Sequence, residues 1–252
     1  MPLSQKKIAL TGGTGGIGTL VAAELRAAQA NVVIVDRSET RSSDSMQIRG
    51  DLSTMEGISD VAATLALWSP DILINLAGTQ FFGPFEDQSP DDIRSTYMIN
   101  LVAPAMLTQA VVPSMKRRGS GHIVNIGSIF GSINYPHFAT YSSAKAGLRG
   151  LSEALRRELG GTGIDITYIA PRAVRTGLSS GNVGRFVEMA NMQLDEPTAV
   201  ARRIVRAIQT RKKELFIGLP ERFFVALNAV APRLVDAGLT AQTVKARALF
   251  NS

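Results

Sequence analysis

The sequence predicts a doubly wound α/β fold, in which helices cover both faces of a parallel sheet. Short, nearly continuous apolar runs alternate with longer stretches of helical periodicity, a pattern typical of parallel strands buried on both faces. The chain has 252 residues, of which 45% are hydrophobic and 19% charged, and this composition excludes a disordered chain. It contains no internal repeat and no linker-like stretch. We therefore predict one domain.

Six apolar runs are predicted as strands, at 8–10, 32–35, 71–75, 122–126, 164–169 and 214–218. The first helix is predicted over 18–28, because Leu20, Val21, Leu25 and Ala28 fall on one helical face. Further helical stretches lie at 54–67, 90–117, 141–160 and 197–211. The alternation of the two kinds of segment carries the chain from one edge of the sheet to the other.

Composition excludes several kinds of site and location. The chain has no cysteine, which excludes disulfides, zinc–thiolate sites, iron–sulfur clusters and a cysteine nucleophile. His122 and His137 have no partner at metal-ligand spacing, so we predict no metal site. No apolar run reaches the roughly 20 residues that span a bilayer, and no secretory signal precedes the first strand. We expect a soluble, cytoplasmic protein.

The net charge of +6 is uneven along the chain. Residues 181–252 hold 11 Lys and Arg but only 6 Asp and Glu. A basic segment can indicate nucleic-acid binding. Because no nucleic-acid motif and no interleaving of aromatic and basic residues accompanies it, we favour a basic helical surface and expect no nucleic acid as a partner.

A glycine-rich segment separates the first predicted strand from the first predicted helix. It fits both G-x-G-x-x-G and T-G-x-x-x-G-x-G. Backbone N–H groups and the helix dipole at such a junction bind a pyrophosphate, and glycine permits its close approach. The match is specific because Asp36 follows 18 residues later, after the second strand. We assign Thr11, Gly12, Thr14, Gly15, Gly16, Ile17 and Gly18 to a dinucleotide-binding loop.

Asp36 and Arg37 point to different forms of the cofactor. A carboxylate at the end of the second strand accepts hydrogen bonds from the adenosine ribose and repels a 2′-phosphate, which favours NAD. A guanidinium at Arg37 would instead pair with that phosphate or stack on adenine. We predict NAD as the preferred cofactor and keep NADP as the alternative.

Six segments, in chain order, match motifs of one known family. They are Thr11-Gly12-x-x-x-Gly16-x-Gly18, Asp51-Leu52, Asn75-Leu76-Ala77-Gly78, Asn100, Ser128 followed 13 residues later by Tyr141-Ser142-Ser143-Ala144-Lys145, and Pro171-Arg172-Ala173-Val174-Arg175-Thr176. On these residues the chain resembles the short-chain dehydrogenase/reductase family over residues 5–218. The resemblance implies a Rossmann-like catalytic domain over 1–218, a helical extension over 219–252, and a homodimer or homotetramer built on the long helices.

The resemblance also implies the roles of the site residues. Tyr141 would be the acid/base, Lys145 would tune it and hold the nicotinamide ribose, Ser128 would hydrogen-bond the substrate oxygen, and Asn100 would support a relay water. The implied cofactor contacts are Asp51, Leu52, Asn75, Ala77, Gly78, Tyr141, Lys145, Pro171, Val174 and Thr176. Because a free tyrosine has a pKa near 10, we expect the Lys145 ammonium one helical turn away to lower it.

These residues predict an NAD(P)(H)-dependent oxidoreductase that interconverts a secondary alcohol and a carbonyl compound. The alternative is a dinucleotide-sensing regulator or scaffold without turnover, because a fold does not fix a function. The complete set of Asn100, Ser128, Tyr141 and Lys145 favours the enzyme, since a sensor has no need of it.

Three features stand apart from the family pattern. Arg172 replaces the usual glycine after Pro171, so that it or Arg175 would pair with an anionic substrate group or face solvent. Eight apolar side chains are predicted either to pack in the core or to line an apolar substrate pocket: Phe81, Phe82, Phe85, Phe130, Phe138, Phe186, Met189 and Met192. The extension 219–252 has an amphipathic pattern, for which we favour subunit packing over a lid or contact with a membrane surface.

Overall fold

The computed structural model describes residues 1–39 and 46–250, and over these ranges it contains one seven-stranded parallel sheet. The strand order is β3-β2-β1-β4-β5-β6-β7. The strands are β1 Lys7–Thr11, β2 Asn31–Asp36, β3 Met46–Arg49, β4 Ile72–Asn75, β5 Gly121–Ile126, β6 Ile164–Ala170 and β7 Glu214–Phe216. The predicted doubly wound fold is confirmed. The predicted number of strands is wrong, because β3 at the sheet edge was missed.

Helices connect the strands and cover the two faces of the sheet. They are α1 Gly16–Ala27, α2 Met55–Trp68, α3 Pro90–Tyr97, α4 Ala103–Arg118, α5 Phe130–Ile133, α6 Ala139–Glu158, α7 Asn182–Met189, α8 Pro197–Gln209, α9 Leu219–Val230 and α10 Pro232–Arg247. Two of these helices begin at a residue whose side chain caps the first turn. At the start of α2 the Thr54 side chain accepts a hydrogen bond from the Gly57 N–H. Ser89 is the N-cap residue of α3, and Pro90 is the first residue of that helix.

The sheet separates two apolar cores. One lies under α1 and α8 and includes Leu10, Val21 and Ile204; the other lies under α2, α4 and α6 and includes Leu73 and Leu107. Each fully buried aliphatic side chain contributes about 1.5–3 kcal/mol to folding. Strands β1 and β4–β6 are buried on both faces, which explains why their sequences read as continuous apolar runs.

The order of the strands fixes where a ligand can bind. The connection from β1 runs to β2 on one side, whereas β4 adds to the opposite edge of β1. The loops after β1 and β4 therefore diverge and leave a crevice at the carboxyl ends of the strands, the place where open α/β sheets bind ligands. Both the glycine-rich segment and the Asn75–Gly78 motif lie at this crevice.

One helix overturns a prediction from the sequence. Pro90–Arg118 is continuous through α3, a π-helical turn over Met98–Val102, and α4. Its 29 residues are, by length and composition, long and apolar enough to cross a membrane, so the prediction that no segment reaches that length is wrong. Asn100 and Gln109 interrupt the apolar run in the sequence without interrupting the helix. In the structure 44% of the apolar stretch of this helix is buried within the chain, where it packs against the sheet and α2.

Candidate active site

A cavity of about 1130 Å³ occupies the crevice at the carboxyl ends of the strands. Most of the predicted site residues line it: Gly12, Thr14, Gly15, Gly16, Ile17, Gly18, Asp36, Arg37, Asp51, Leu52, Ala77, Gly78, Ser128, Tyr141, Lys145, Pro171, Val174 and Thr176. Residues as far apart in the sequence as Gly12 and Thr176 therefore face one space. The cavity has a polar end at the glycine-rich segment and an apolar end beside α7, α9 and α10.

The glycine-rich segment forms a side-chain-free cradle at the start of α1. Gly15 is the N-cap residue and Gly16 the first residue of the helix. A Cβ on Gly18 would overlap the carbonyl oxygen of Gly12, so the loop closes onto the helix only with glycine there. The first backbone N–H groups of α1 and the positive end of its dipole lie at this part of the cavity, which Gly16, Ile17 and Gly18 line. The cradle fits a dinucleotide pyrophosphate.

Asp36 lies beside the cradle at the end of β2. Its Oδ2 accepts from the Thr14 N–H and its Oδ1 from the Ser38 N–H, both at 3.1 Å, which fixes the carboxylate at the cavity wall. Arg37 is exposed at the same edge. The hydrogen bond from the Ser53 backbone N–H, aided by the charge of Arg37, holds the pKa of Asp51 below its usual value.

Three predicted site residues, Thr11, Asn75 and Asn100, lie outside the cavity lining. The Thr11 hydroxyl accepts from the N–H groups of Leu76 and Ala77, each at 3.0 Å, and so ties the end of β1 to the loop after β4. The Asn75 amide donates to Asn125 Oδ1 at 2.8 Å. Thr11 and Asn75 thus hold the strand ends in place, and a direct contact of either with the cofactor stays a prediction.

Asn100 is placed by the π-helical turn. Its Nδ2 donates to the carbonyl oxygens of Thr96 at 2.9 Å and Thr79 at 2.8 Å. Its Oδ1 is buried and has no hydrogen-bond partner among the described residues. A Cβ on Gly78 would lie 3.1 Å from this oxygen and 3.7 Å from Lys145 Nζ, so the two groups converge on Gly78. An acceptor left free beside an ammonium fits the implied relay water.

Ser128, Tyr141 and Lys145 come together from two elements. Ser128 follows β5, and its Oγ accepts from the Phe130 N–H at 3.2 Å and hydrogen-bonds the Tyr141 phenol. Tyr141 and Lys145 lie one turn apart on α6. Lys145 Nζ lies 5.8 Å from the Tyr141 ring centroid and donates to the Ile126 carbonyl oxygen at 2.9 Å.

The electrostatics of this group differ from our expectation. Burial raises the pKa of Tyr141, and the hydrogen bond with Ser128 opposes the shift only in part. Burial also lowers the pKa of Lys145 to about 8. The pKa of Tyr141 is therefore raised overall and not lowered as we expected, because desolvation dominates and the Lys145 ammonium is directed to the Ile126 carbonyl oxygen. Tyr141 is a neutral proton donor at pH 7.

The apolar end of the cavity is only partly the one predicted. Phe130, Phe138, Phe186 and Met192 line it. Phe81 and Phe85 border a separate cavity of about 460 Å³ with His137, and Phe82 and Met189 pack in the aromatic cluster behind the wall. Helices α9 and α10 add Phe224, Leu227, Leu234, Val235 and Leu239 to the lining. For this extension the sequence favoured subunit packing and kept a lid over the cavity as an alternative. The amphipathic pattern of the two helices was the available signal.

The remaining polar candidates have structural partners. Arg172 lines the cavity but is paired with Asp195 and Glu221, and Arg175 is exposed and paired with Glu196 at 3.0 Å. Arg172 is therefore engaged within the chain and not free for an anionic substrate group, and Arg175 faces solvent, which was the other alternative for it. His122 is buried, with Nε2 2.8 Å from Thr167 Oγ1. Among the described residues no group of three His, Asp or Glu side chains is arranged to hold a metal ion.

The relatives found by comparison with known proteins are dehydrogenases and reductases. A family model described as short chain dehydrogenase matches residues 6–183. The ketoacyl reductase HetN of Nostoc sp. is 32% identical over 254 residues, covering 93% of this chain and 88% of that protein. Dehydrogenase/reductase SDR family member 7B of Xenopus tropicalis is 30% identical, with 99% of this chain and 89% of that protein covered.

Solved structures give the same result and include bound nicotinamide dinucleotides. A short-chain dehydrogenase from Streptomyces avermitilis superposes with a TM-score of 0.78 at 30% identity, covering 97% of this chain and 99% of that one. The 4-hydroxyisoleucine dehydrogenase complexed with NADH gives 0.75 at 27%, with 84% and 96% covered. A short-chain dehydrogenase from Sphingobium yanoikuyae in complex with NADPH gives 0.77 at 25%, with 91% and 94% covered.

Proposed function

This chain belongs to the short-chain dehydrogenase family of oxidoreductases, and we propose that it interconverts a secondary alcohol and a carbonyl compound on an apolar substrate. The observation that carries the proposal is the meeting of Ser128, Tyr141 and Lys145 at one cavity with the glycine-rich cradle. A bound nicotinamide supplies or accepts the hydride, and the chain orients the reactants and manages the proton.

The proton step follows from the environment of Tyr141. In the direction of reduction, the neutral phenol donates its proton to the carbonyl oxygen of the substrate, and the Ser128 hydroxyl hydrogen-bonds the same oxygen. In the direction of oxidation, Tyr141 must first lose its proton, and the charge of a protonated Lys145 favours the phenolate. Asn100 Oδ1, which has no partner among the described residues, would hold a water through which that proton reaches solvent.

Two features support the assignment of substrate and cofactor. Phe130, Phe138 and Phe186 make the substrate end of the cavity apolar, which suits a hydrophobic group beside the carbonyl. At the other end, the carboxylate of Asp36 is held at the cavity wall beside the glycine-rich segment, where it would accept hydrogen bonds from an adenosine ribose. Because this carboxylate repels a 2′-phosphate, we propose NAD as the preferred cofactor over NADP.

Substitution of Tyr141 by Phe tests the proposal. We expect Tyr141→Phe to lower kcat on methyl ketones by about 10²–10⁴-fold, the usual contribution of a general acid. Its affinity for NADH, followed by nicotinamide fluorescence, should stay that of the wild type and exceed its affinity for NADPH. Tyr97→Phe is the matched control, because Tyr97 hydrogen-bonds Ser143 outside the cavity lining.

The outcomes separate the alternatives. Turnover that survives in Tyr141→Phe removes this residue from the mechanism. Wild-type protein that binds NADH but turns over no alcohol or ketone supports a regulator or scaffold instead. Tighter binding of NADPH means that Arg37 outweighs Asp36.

A further inference from the structure

Arg172, which stands where the family motif has glycine, is the centre of a half-buried ion-pair cluster. Its Nη2 lies 2.7 Å from Asp195 Oδ1, and its Nη1 lies 3.2 Å from Glu221 Oε1 and 2.8 Å from Gln193 Oε1. The Arg172 side chain is 15% exposed, and those of Asp195 and Glu221 are 17% and 22% exposed. At this depth a charged pair is screened less than at the surface.

The cluster joins three segments that border the cavity. Arg172 lies in the loop after β6, Asp195 in the loop before α8, and Glu221 in the first turn of α9. Among the described residues, the bridge from Arg172 to Glu221 is the one ion pair that links α9 and α10 to the rest of the chain. Two neutral contacts accompany it, from Asn228 Nδ2 to the Ser132 carbonyl oxygen at 2.8 Å and from the Tyr135 hydroxyl to Gln242.

The backbone before α9 is shaped to receive the Glu221 carboxylate. Gly218 has φ +117°, a conformation that side chains disfavour. A Cβ there would overlap Glu221 Oε2 and would lie 3.3 Å from Arg172 Cδ. The sequence thus provides the guanidinium, the carboxylate and the gap between them together, which is more than a chance surface pair requires.

The joined helices close the apolar end of the cavity. Phe224 and Leu227 of α9, and Leu234, Val235 and Leu239 of α10, line the same cavity as Tyr141 and Ser128. The cluster itself holds one positive and two negative charges, so it does not attract an anionic substrate group. Its position at the start of α9 instead suits a role in holding α9 and α10 against the rest of the chain.

We propose that Arg172 is a specificity-determining positioning residue. Through Glu221 and Asp195 it fixes α9 and α10 as the wall against which the apolar group of the substrate packs. The inference rests on the proposed alcohol–carbonyl activity and deepens it, because it assigns the selection of long or bulky apolar groups to a residue that does not touch the reacting atoms.

The test compares a short and a long methyl ketone, 2-butanone and 2-decanone, with NADH. In Arg172→Ala and Glu221→Gln, we expect kcat/KM for 2-decanone to fall about tenfold or more, the scale of a misplaced binding wall, while kcat/KM for 2-butanone and the affinity for NADH stay within about twofold. Arg175→Ala is the matched control, an arginine of the same loop that is 66% exposed. Equal losses for both ketones, or no loss, overturn the proposal.

Hydrogen exchange provides a readout that does not depend on activity. We expect backbone amides in 219–250 to exchange faster in Arg172→Ala than in the wild type or Arg175→Ala, because the wall opens locally without the ion pair. Unchanged exchange overturns the proposal. If the wild type binds NADH but reduces neither ketone, the proposed function fails, and hydrogen exchange alone decides whether Arg172 holds the helices.

Discussion

Burial of a single histidine makes the stability of this protein depend on pH. His122, at the start of β5, is 1% exposed, and its Nδ1 has no partner among the described residues. Burial lowers its pKa from 6.5 to about 4, while Asp165 beside it raises the pKa and Arg211 lowers it. The folded chain therefore keeps His122 neutral at pH values where the unfolded chain has already taken up a proton.

The sign of the pH effect follows from that difference. Above pH 6.5 His122 is neutral in both the folded and the unfolded chain, so it takes nothing from the stability. As the pH falls from 6.5 toward 4 only the unfolded chain binds the proton, which lowers the free energy of unfolding by about 3 kcal/mol. We expect the free energy of unfolding of His122→Gln, measured with urea at pH 7, 6, 5 and 4, to fall less steeply than that of the wild type. Gln retains a polar partner for Thr167. Parallel curves for the two proteins would show that His122 does not carry the effect.

At the scale of an element, the junction of β1 and α1 depends on the absence of a side chain at Gly18. A Cβ there would overlap the Gly12 carbonyl oxygen, so Gly18→Ala must push the loop away from the helix. We expect a loss of about 1–3 kcal/mol in unfolding free energy, as for other overpacked sites, and NADH binding weakened at least tenfold in fluorescence titration.

Gly150→Ala is the control for that substitution. Gly150 lies within α6, and a Cβ on it would meet no neighbouring segment or side chain of the described residues within 4 Å, so alanine should raise stability by about 0.5–1 kcal/mol. Both effects are read from the same urea titrations. A Gly18→Ala protein as stable as the wild type, with normal NADH binding, would contradict the cradle geometry.

The elements also show which features the sequence could predict. The runs that became β1, β2 and β4–β6 are buried on both sides, so their apolar character alone identified them. Strand β3 was not predicted, because Met46–Arg49 is short, partly exposed and paired on one side only. Motif spacing brought Ser128, Tyr141 and Lys145 together correctly. The π-helical turn at Asn100 and the pairing of Arg172 with Glu221 depend on tertiary contacts that no local pattern records.

At the scale of the whole molecule, the long helix Pro90–Arg118 leaves part of its apolar surface outside the cores of the chain. By length and composition this helix could cross a membrane, and 44% of its apolar stretch is buried within the chain. Burial of the remaining apolar surface is favourable in proportion to its area, and the family resemblance implies association through the long helices. We therefore expect the 26.9 kDa chain to form a homodimer or homotetramer through this face.

An added charge at the centre of that face tests the assembly. Gln109 is exposed midway along α4, and Gln109→Arg would place an unpaired guanidinium in a desolvated interface, at a cost of several kcal/mol. We expect sedimentation to give an oligomer for the wild type and the 26.9 kDa monomer for the variant. Leu67→Arg, on the outer face of α2 and 89% exposed, should sediment as the wild type does. A wild-type monomer that cosediments with anionic vesicles would instead assign the apolar face to a membrane, and a monomer that binds no vesicles would contradict both.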